Sequence, residues 1–211
     1  MHLSLLPTAP PVIHGSQGIS RKGEGIGRAS HYYSLTRIKT KGQIRIQGET
    51  REVEGLSWMD HEFGSNQLQD QQIGWDWFSF QLPESLDLML YQIRLQDGKI
   101  DPHSSGTVVL PDRRIRTLSP SDFFIRVFQF WKSPNSGAWY PSGWEIFLPA
   151  QGLFLRVLPW VADQELLTTK STRITYWEGA VSVAGTWQGR PIQGAGYVEM
   201  TGYDRRFPPR I

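Results

Sequence analysis

The sequence predicts an all-β protein built on an antiparallel barrel, and three observations support that prediction. Apolar and polar residues alternate over many short segments, as in strands that bury only one face. Turn-forming residues interrupt these segments at short intervals, since the 211 residues include 21 glycines and 14 prolines. No long segment has the periodicity of an amphipathic helix. Many short strands at this spacing predict a sandwich or an up-and-down barrel.

The predicted strands follow one another through most of the chain. The segment 42–48 lies between two glycines, and Asp97-Gly98 predicts a hairpin because this pair favours the tight turn that joins antiparallel strands. Further turns are predicted at 83–85 and 188–191. The other predicted strands share the alternation and cover residues 75–82, 88–94, 107–110, 144–147, 153–158, 175–184 and 196–201.

Composition excludes several classes of function. Hydrophobic residues make up 39% of the chain and aromatic residues 12%, so a substantial core is expected rather than a disordered chain. The net charge is only +2, and the basic clusters at 113–116 and 204–206 form no long basic face, so nucleic acid is not an expected partner. The absence of cysteine excludes disulfides and thiolate chemistry. No run of about 18 apolar residues is present, so no membrane span is predicted.

The motifs give no reason to expect a cofactor. Asp60, His61 and Glu62 are consecutive, so on a strand they alternate between faces and cannot all reach one metal ion. The chain has neither a His-Glu-x-x-His spacing nor a phosphate-binding loop. It also lacks the Gly-x-Ser-x-Gly elbow of serine hydrolases. We therefore predict no metal and no other cofactor.

Two motifs mix acids with tryptophans in a way that a purely structural core does not need. They are Ser-Trp-Met-Asp-His-Glu-Phe-Gly at residues 57–64 and Gly-Trp-Asp-Trp-Phe-Ser at residues 74–79. Acids are seldom buried unless they are paired, so this mixture predicts a pocket with apolar walls and a few placed polar groups. Alternate side chains of a strand share a face. His61 is predicted on the face opposite to Asp60, and Asp76 on the face opposite to Trp75 and Trp77. The sets that share a face are Trp58 with Asp60, Trp75 with Trp77, Tyr176 with Glu178, and Tyr197 with Glu199 and Tyr203.

In this order along the chain, the motifs resemble the hydroxyneurosporene synthase family, which includes the carotenoid 1,2-hydratases and relatives described as predicted secreted hydrolases. The matching segments are residues 14–20, 30–37, 58–64, 74–78, 88–94, 163–166, 176–181 and 196–203. The resemblance implies a pair of lipocalin-like (calycin) barrels, of which this chain would contain mainly the second. The chain departs from the family pattern at Phe63, where many members have tryptophan.

This resemblance gives the predicted domain organisation. Residues 1–28 are rich in glycine, proline and serine and are predicted to be a linker or the remnant of a first barrel. Residues 29–211 are predicted to form the lipocalin-like β-barrel domain. The segment 1–7 is too short before its first proline to serve as a signal peptide, so the location stays open, and the resemblance implies an envelope or membrane-peripheral place.

The hydratases of this family add water to an isoprenoid double bond. That reaction needs a proton donor, aromatic stabilisation of a carbocation and an oriented water. Asp60 is the predicted acid and Asp76 the second choice, because an apolar setting raises the pKa of a carboxyl group. His61 is the candidate that accepts or relays a proton. The candidate ligand-binding residues are Trp58, Trp75 and Trp77 as cation stabilisers, Tyr197 and Glu199 as water holders, and Arg94, Tyr176, Glu178 and Tyr203 around them.

Other functions remain open at this point. The barrel could be a non-catalytic carrier or sensor of a hydrophobic ligand, or a scaffold in envelope lipid handling. Asp60 or Asp76 without an arginine partner favours an enzyme, and full pairing favours a carrier. Glu178 could be a structural partner of Arg94 or of Arg37 across strands. The predicted partner is a hydrophobic small molecule, an isoprenoid or a lipid. The apolar stretch 122–131 leaves peripheral membrane contact and self-association open.

Overall fold

A computed structural model describes residues 1–64, 68–168 and 174–204 of the chain. The protein is nearly all β, with 65% strand and 3% helix, so the predicted fold class is confirmed. It divides into two compact units, Met1–Gln67 and Leu68–Ile211, each with its own sheet. Within the described ranges, no helix combines the length and the apolar character needed to cross a membrane.

The first unit is a five-stranded antiparallel sheet built around one long strand, β4. β5 pairs with one edge of β4, and three short strands follow one another along the opposite edge. Gln47 and Gly48 have positive φ angles of 50° and 89° and form the tight turn between β4 and β5. The strands are β1 (His2–Pro7), β2 (Val12–Ile13), β3 (Ile19–Arg21), β4 (Ala29–Ile46) and β5 (Glu49–Phe63).

The residues before position 29 belong to this sheet rather than standing apart from it. The sequence placed a boundary at residue 28 because glycine and proline are frequent before it. In the structure those residues form turns between β1, β2 and β3, whose backbone groups pair with β4. β4 also begins well before the predicted segment 42–48. The prediction missed this earlier part because much of its buried face is polar, so apolar and polar residues do not alternate there. The polar buried residues are Ser30, Ser34, Thr36 and Thr40.

The second unit is a ten-stranded antiparallel sheet that curls into a half-barrel. Its spatial order is β10-β11-β12-β14-β15-β6-β7-β8-β9, with β13 beside β14. The last strand pairs with the first, so the chain runs round the half-barrel as an up-and-down meander with β9 and β10 at its two ends. The strands are β6 (Gln72–Gln81), β7 (Asp87–Leu95), β8 (Ser105–Val109), β9 (Ile115–Leu118), β10 (Phe124–Lys132), β11 (Trp139–Leu148), β12 (Leu153–Pro159), β13 (Glu165–Leu167), β14 (Thr175–Trp187) and β15 (Arg190–Thr201), and short 3₁₀ turns occur at Pro83–Ser85 and Pro149–Gln151.

One face of the curled sheet forms the hydrophobic core of the second unit. Phe78, Trp144 and Trp177 are fully buried there. The ring centroids of Phe78 and Trp144 lie 5.8 Å apart, and those of Trp144 and Trp177 lie 6.1 Å apart. Each large buried side chain of this kind contributes about 1.5–3 kcal/mol to folding. Because the pleat alternates, Trp75 and Trp77 lie on the opposite face of β6 from Phe78.

Candidate active site

The pairing of β4 with β5 brings Asp60 next to hydroxyl groups of the neighbouring strand. In the antiparallel register Ser34 lies directly opposite Asp60, and Tyr32 lies opposite Glu62. Opposite and diagonal residues on one face of such a pair are close enough for their side chains to touch. The alternation along β5 places Trp58 on the same face as Asp60.

Three neutral donors hold the carboxyl group of Asp60. Its Oδ2 accepts a hydrogen bond from the hydroxyl of Tyr32 at 2.8 Å. Its Oδ1 accepts from the indole Nε1 of Trp58 at 2.7 Å and from the hydroxyl of Ser34. Within the described part of the chain, no basic side chain forms a salt bridge with this carboxyl.

The surroundings of Asp60 change its acidity. Burial raises the pKa of the Asp60 carboxyl, and the hydrogen bonds from Ser34, Trp58 and Tyr32 oppose that rise, while the nearby Glu62 adds to it. Asp60 as a whole residue nevertheless stays exposed on its strand. Because it keeps this access to solvent, screening limits the rise. The result is an acid that a small molecule can reach and that keeps its proton to higher pH than a free aspartate.

A buried histidine contacts Ser34 on the side away from Asp60. The Nε2 atom of His14 lies 2.7 Å from the Ser34 hydroxyl oxygen, and the centroids of the His14 and Tyr32 rings lie 4.3 Å apart. His14 is 2% exposed and Ser34 is fully buried. Burial lowers the pKa of His14 to about 3, with a contribution from Lys22. The imidazole is therefore neutral at physiological pH.

The local sequence positions His14 through a tight turn. Gly15 has a φ of +66°, and a Cβ at this position would lie 2.1 Å from the carbonyl oxygen of Ile19, so the turn requires glycine. Ser16 and Ile19 exchange two backbone hydrogen bonds of 3.0 Å across it. The backbone N–H of His14 donates to the carbonyl of Tyr32 at 3.0 Å. The backbone thus fixes His14 against β4.

The second acid on this face, Glu62, has a cationic partner. Its Oε1 lies 2.9 Å from Nζ of Lys22 and accepts a hydrogen bond from the Ser30 hydroxyl at 2.5 Å. The Lys22 ammonium also lies 5.3 Å from the centroid of the Tyr32 ring, which is a cation–π distance. Glu62 is therefore ion-paired with Lys22, whereas the hydrogen bonds to the Asp60 carboxyl come from neutral donors.

The structure places His61 away from the Asp60 carboxyl. His61 points to the opposite face of β5, as strand alternation requires. Its Nδ1 lies 2.9 Å from the hydroxyl of Tyr33, and its ring centroid lies 5.2 Å from that of Phe63. A proton relay by His61 stays a prediction, and it does not act through a direct contact with the Asp60 carboxyl in the described part of the chain. His14, which the sequence did not single out as a site residue, is the histidine that contacts the cluster.

Asp76 lies in the second unit and is paired with arginine. It is 6% exposed, Nε of Arg94 lies 3.1 Å from its Oδ1, and the Tyr203 hydroxyl donates to its Oδ2 at 3.0 Å. The Arg94 guanidinium lies 3.8 Å from the Tyr203 ring centroid and also donates to the carbonyl of Thr201. Burial raises the pKa of Asp76, and Arg94 opposes that rise. Arg94 is thus the internal counter-charge of Asp76 rather than a partner of Glu178.

The remaining predicted residues share the face of the second sheet that is opposite to its core. Glu178 of β14 lies directly opposite Glu199 of β15, and Glu199 accepts a hydrogen bond from the Trp75 indole at 2.8 Å. Burial raises the pKa values of Tyr176 and Tyr197, and the two glutamates add to the rise. The members of this outer set are Trp75, Trp77, Tyr176, Glu178, Tyr197 and Glu199. They do not line the packed interior of the half-barrel.

The apolar stretch 122–131 contains most of β10, at one end of the curled sheet. Ile125, Val127 and Trp131 pack against the core, as expected of a core strand. Phe124 and Phe130 remain 59% and 38% exposed. Contact of this stretch with a membrane surface or a second copy stays a prediction.

The geometry limits the chemistry that the Asp60 cluster can perform. Ser34 bonds to both a histidine and an aspartate but is 0% exposed, so its hydroxyl is not placed to attack a substrate. The described residues contain no group of three or more metal-ligating side chains. The group of the cluster that is suited to proton transfer is the Asp60 carboxyl, which is partly buried on a residue that stays exposed.

Sequence reasoning named Asp60 and Trp58 as candidates but did not name Tyr32, Ser34 and His14, which the structure places beside them. The signals were present, because the segments 14–20 and 30–37 are among those that resemble the hydratase family. They were not assigned to the site because isolated serine, tyrosine and histidine residues form no recognisable catalytic motif in the sequence. Only the register between β4 and β5 brings them to Asp60.

The protein is nearly all β, with the sheet of the second unit curled into a half-barrel. The five-stranded sheet of the first unit presents a reachable acid, Asp60. The chain belongs to the AttH-like family, whose model matches residues 1–203. A crystal structure assigned to an AttH from Nitrosomonas europaea has a TM-score of 0.87 and 34% identity, covering 95% of this chain and 60% of that one. The predicted family resemblance is therefore confirmed as membership of the AttH-like family.

Two similar proteins are named for an enzymatic activity, and a crystal structure of one such enzyme is also similar to this chain. Kievitone hydratase of Fusarium solani is 22% identical over 88% of this chain and 54% of its own length, and dehydratase asqC of Emericella nidulans is 21% identical over 92% and 55%. The crystal structure of kievitone hydratase from Nectria haematococca has a TM-score of 0.76 at 20% identity, over 95% of this chain and 60% of that one. This chain therefore spans little more than half the length of these relatives.

Proposed function

We propose that this protein is a hydratase or dehydratase that uses Asp60 as a general acid on a hydrophobic small molecule. The observation that carries the proposal is the state of Asp60, an exposed residue whose carboxyl has a raised pKa and three neutral donors. A general acid works best when its pKa approaches the working pH. The names of the two curated relatives support the same class, because hydration and dehydration are the two directions of one reaction.

In the hydration direction the proton of Asp60 moves to one carbon of a double bond. The π electron pair forms the new C–H bond, and the other carbon becomes a cation. Water adds to that cation, and the proton it releases returns to the Asp60 carboxylate, so the acid is regenerated. In the dehydration direction Asp60 protonates the leaving hydroxyl, water departs, and the carboxylate removes a proton from the neighbouring carbon.

The hydrogen bonds indicate which oxygen of Asp60 carries the proton. Oδ1 accepts from the Trp58 indole, and an indole N–H can only donate. Because Oδ1 accepts from both the Trp58 indole and the Ser34 hydroxyl, the acidic proton is assigned to Oδ2. In that protonated state the Tyr32 hydroxyl accepts from Oδ2 instead of donating to it. After proton transfer the same three groups donate to the carboxylate, and such charge-assisted hydrogen bonds stabilise the conjugate base.

The substrate that fits this chemistry is an isoprenoid or related lipid with a substituted double bond, because protonation then gives a tertiary cation. The Trp58 ring beside Asp60 is suited to stabilise that cation. The outer set of the second unit stays part of the proposal as ligand-binding residues. These residues are Trp75, Trp77, Tyr176, Glu178, Tyr197 and Glu199.

A non-catalytic carrier is the second candidate, and one observation favours it for the second unit. Asp76 is fully paired with Arg94 and Tyr203, which is the arrangement expected of a barrel that only holds a ligand. A carrier has no need for an exposed acid with a raised pKa, so Asp60 favours the enzyme.

The test is incubation of the purified protein with kievitone, with lycopene as an acyclic carotenoid, and with a membrane lipid extract in ¹⁸O-labelled water. Mass spectrometry then examines both the free products and the molecules retained by the protein. We expect a product heavier by one labelled water, and we expect Asp60→Asn to abolish it. Glu62→Gln is the matched control, since it changes the other acid on the same face. Retention of an unchanged lipid, with no labelled product from any substrate, would favour the carrier instead.

A further inference from the structure

We propose that His14 is a positioning residue that acts through Ser34 to keep a hydrogen-bond donor on the Asp60 carboxyl. This inference deepens the proposed function and rests on it for its catalytic meaning. The hydrogen bonds themselves are independent of any reaction, so they can be tested separately. No step of the proposed hydration uses His14 directly, because a buried imidazole behind Ser34 does not touch the reacting atoms.

The direction of the chain of hydrogen bonds follows from counting donors. The Ser34 hydroxyl donates to Oδ1 of Asp60, which also accepts from the Trp58 indole. A serine hydroxyl has one hydrogen, so its contact with Nε2 of His14 at 2.7 Å must use an oxygen lone pair. His14 is therefore the donor and carries its proton on Nε2.

Burial makes this arrangement effective. His14 is 2% exposed and Ser34 is fully buried, so bulk water does not compete for the hydroxyl. Without an N–H on its other side, the Ser34 hydroxyl would be free to rotate about its Cβ–Oγ bond. With the N–H in place, the hydroxyl hydrogen points to Asp60.

Burial, with a contribution from the nearby Lys22 ammonium, keeps His14 neutral. Lys22 faces His14 and Tyr32 from the segment after β3, and its ammonium is paired with Glu62 of β5. Burial and Lys22 together hold the pKa of His14 near 3. The imidazole does not titrate between about pH 5 and 8, where an ordinary histidine does. His14 therefore acts through hydrogen-bond direction rather than through a change of charge.

The expected effect on Asp60 has a definite sign. A donor to the carboxylate favours the charged form, so loss of that donor raises the pKa of Asp60. We expect Ser34→Ala to raise it by about one pH unit, since a hydrogen bond to a charged group is removed. His14→Leu should raise it by roughly half as much, because the hydroxyl remains but is no longer directed. His14→Gln can place an amide N–H near the position of Nε2 and should restore most of the original value.

The experiment uses the full chain labelled with ¹³C and ¹⁵N, and it records NMR titrations of the Asp60 carboxyl in wild type and the three variants. Asp60→Asn identifies the signal. The ¹⁵N signals of His14 are recorded in wild type, and we expect an Nε2-protonated neutral ring from pH 5 to 8. In the activity assay with whichever substrate reacts, the high-pH limb of the profile should move upward in His14→Leu and return in His14→Gln.

Two results would overturn the inference. One is an Nδ1-protonated His14 ring in wild type, and the other is an unchanged Asp60 titration in His14→Leu while Ser34→Ala shifts it. If His14→Leu does not fold, judged by circular dichroism, the wild-type tautomer and the His14→Gln titration still decide the matter. Failure of the proposed function gives a different pattern, with the expected NMR shifts but no labelled product from any substrate.

Discussion

Asp60 in the first unit and Asp76 in the second both have a raised pKa, but their neighbours differ. Asp76 is 6% exposed and bonds to the guanidinium of Arg94 and to the hydroxyl of Tyr203. Asp60 is an exposed residue whose carboxyl bonds to an indole and two hydroxyls. A permanent cation keeps Asp76 in an ion pair, whereas neutral donors leave the proton of Asp60 available. The charge of the partners and the exposure of the residue together separate a paired, buried acid from a candidate catalytic one.

The largest expected effect is on the stability of the second unit. Arg94→Met leaves Asp76 as a buried charge without its partner, and we expect the free energy of unfolding to fall by about 3–5 kcal/mol. Urea unfolding of the full chain, followed by tryptophan fluorescence, measures this. The double variant with Asp76→Asn should recover part of the loss, because it removes the uncompensated charge. A loss under about 1 kcal/mol in the single variant would show that the ion pair is not structural.

The next effect is on activity and belongs to the first unit. Asp60→Asn should lower the rate of the reaction found in the labelled-water assay by at least about 100-fold, because a general acid is removed. The free energy of unfolding should change by less than about 1 kcal/mol, since asparagine can still accept the hydrogen bonds. If Asp60→Asn unfolds the protein and Arg94→Met does not, then Asp60 is the structural acid and the Asp76 ion pair is not needed for folding. Retained activity in Asp60→Asn would remove Asp60 from the mechanism.

A smaller effect is expected at the turn that positions His14. Gly15→Ala combines a strained positive φ with a Cβ placed 2.1 Å from a carbonyl oxygen, and we expect a loss of about 2–3 kcal/mol. Gly48→Ala is the matched control, because Gly48 also has a positive φ of 89° but open space around its Cβ position. The control should cost about 1 kcal/mol. Equal losses would show that the close approach at Gly15 is easily relieved. Thermal and urea unfolding of both variants provide the comparison.

The smallest expected effect is the dependence of stability on pH. A carboxyl whose pKa is higher in the folded state binds its proton more tightly there, so it favours folding when protonated. This contribution is complete below the pKa of a free aspartate and is lost as the pH rises through the folded value. As the pH rises over that window, the melting temperature of Asp60→Asn should therefore fall less than that of the wild type. At pH 7 the melting temperature of the variant should be slightly higher than that of the wild type. A steeper fall in the variant would mean that Asp60 is stabilised as a carboxylate.

The same contrast shows how far local sequence information reaches. Alternation along a strand correctly put Trp58 and Asp60 on one face and His61 on the other, because it depends only on neighbours in the chain. Turn chemistry likewise located a tight turn at Asp97-Gly98, where Gly98 has a positive φ of 83° and Arg94 pairs with Ile100 across the turn. This turn lies within the longer connection from β7 to β8. Alternation did not reveal the start of β4, where the buried positions include serine and threonine.

The all-β class, the order of the motifs and the identity of the candidate acid were determined by the sequence itself. The partners of each acid were decided by the tertiary structure, since Ser34 lies 26 residues from Asp60 and Tyr203 lies 127 residues from Asp76. Strand register and sheet order bring such distant residues together, and neither can be inferred from local alternation. An isolated aspartate has one intrinsic pKa. Whether its neighbour in space is a guanidinium or a hydroxyl decides what that aspartate can do.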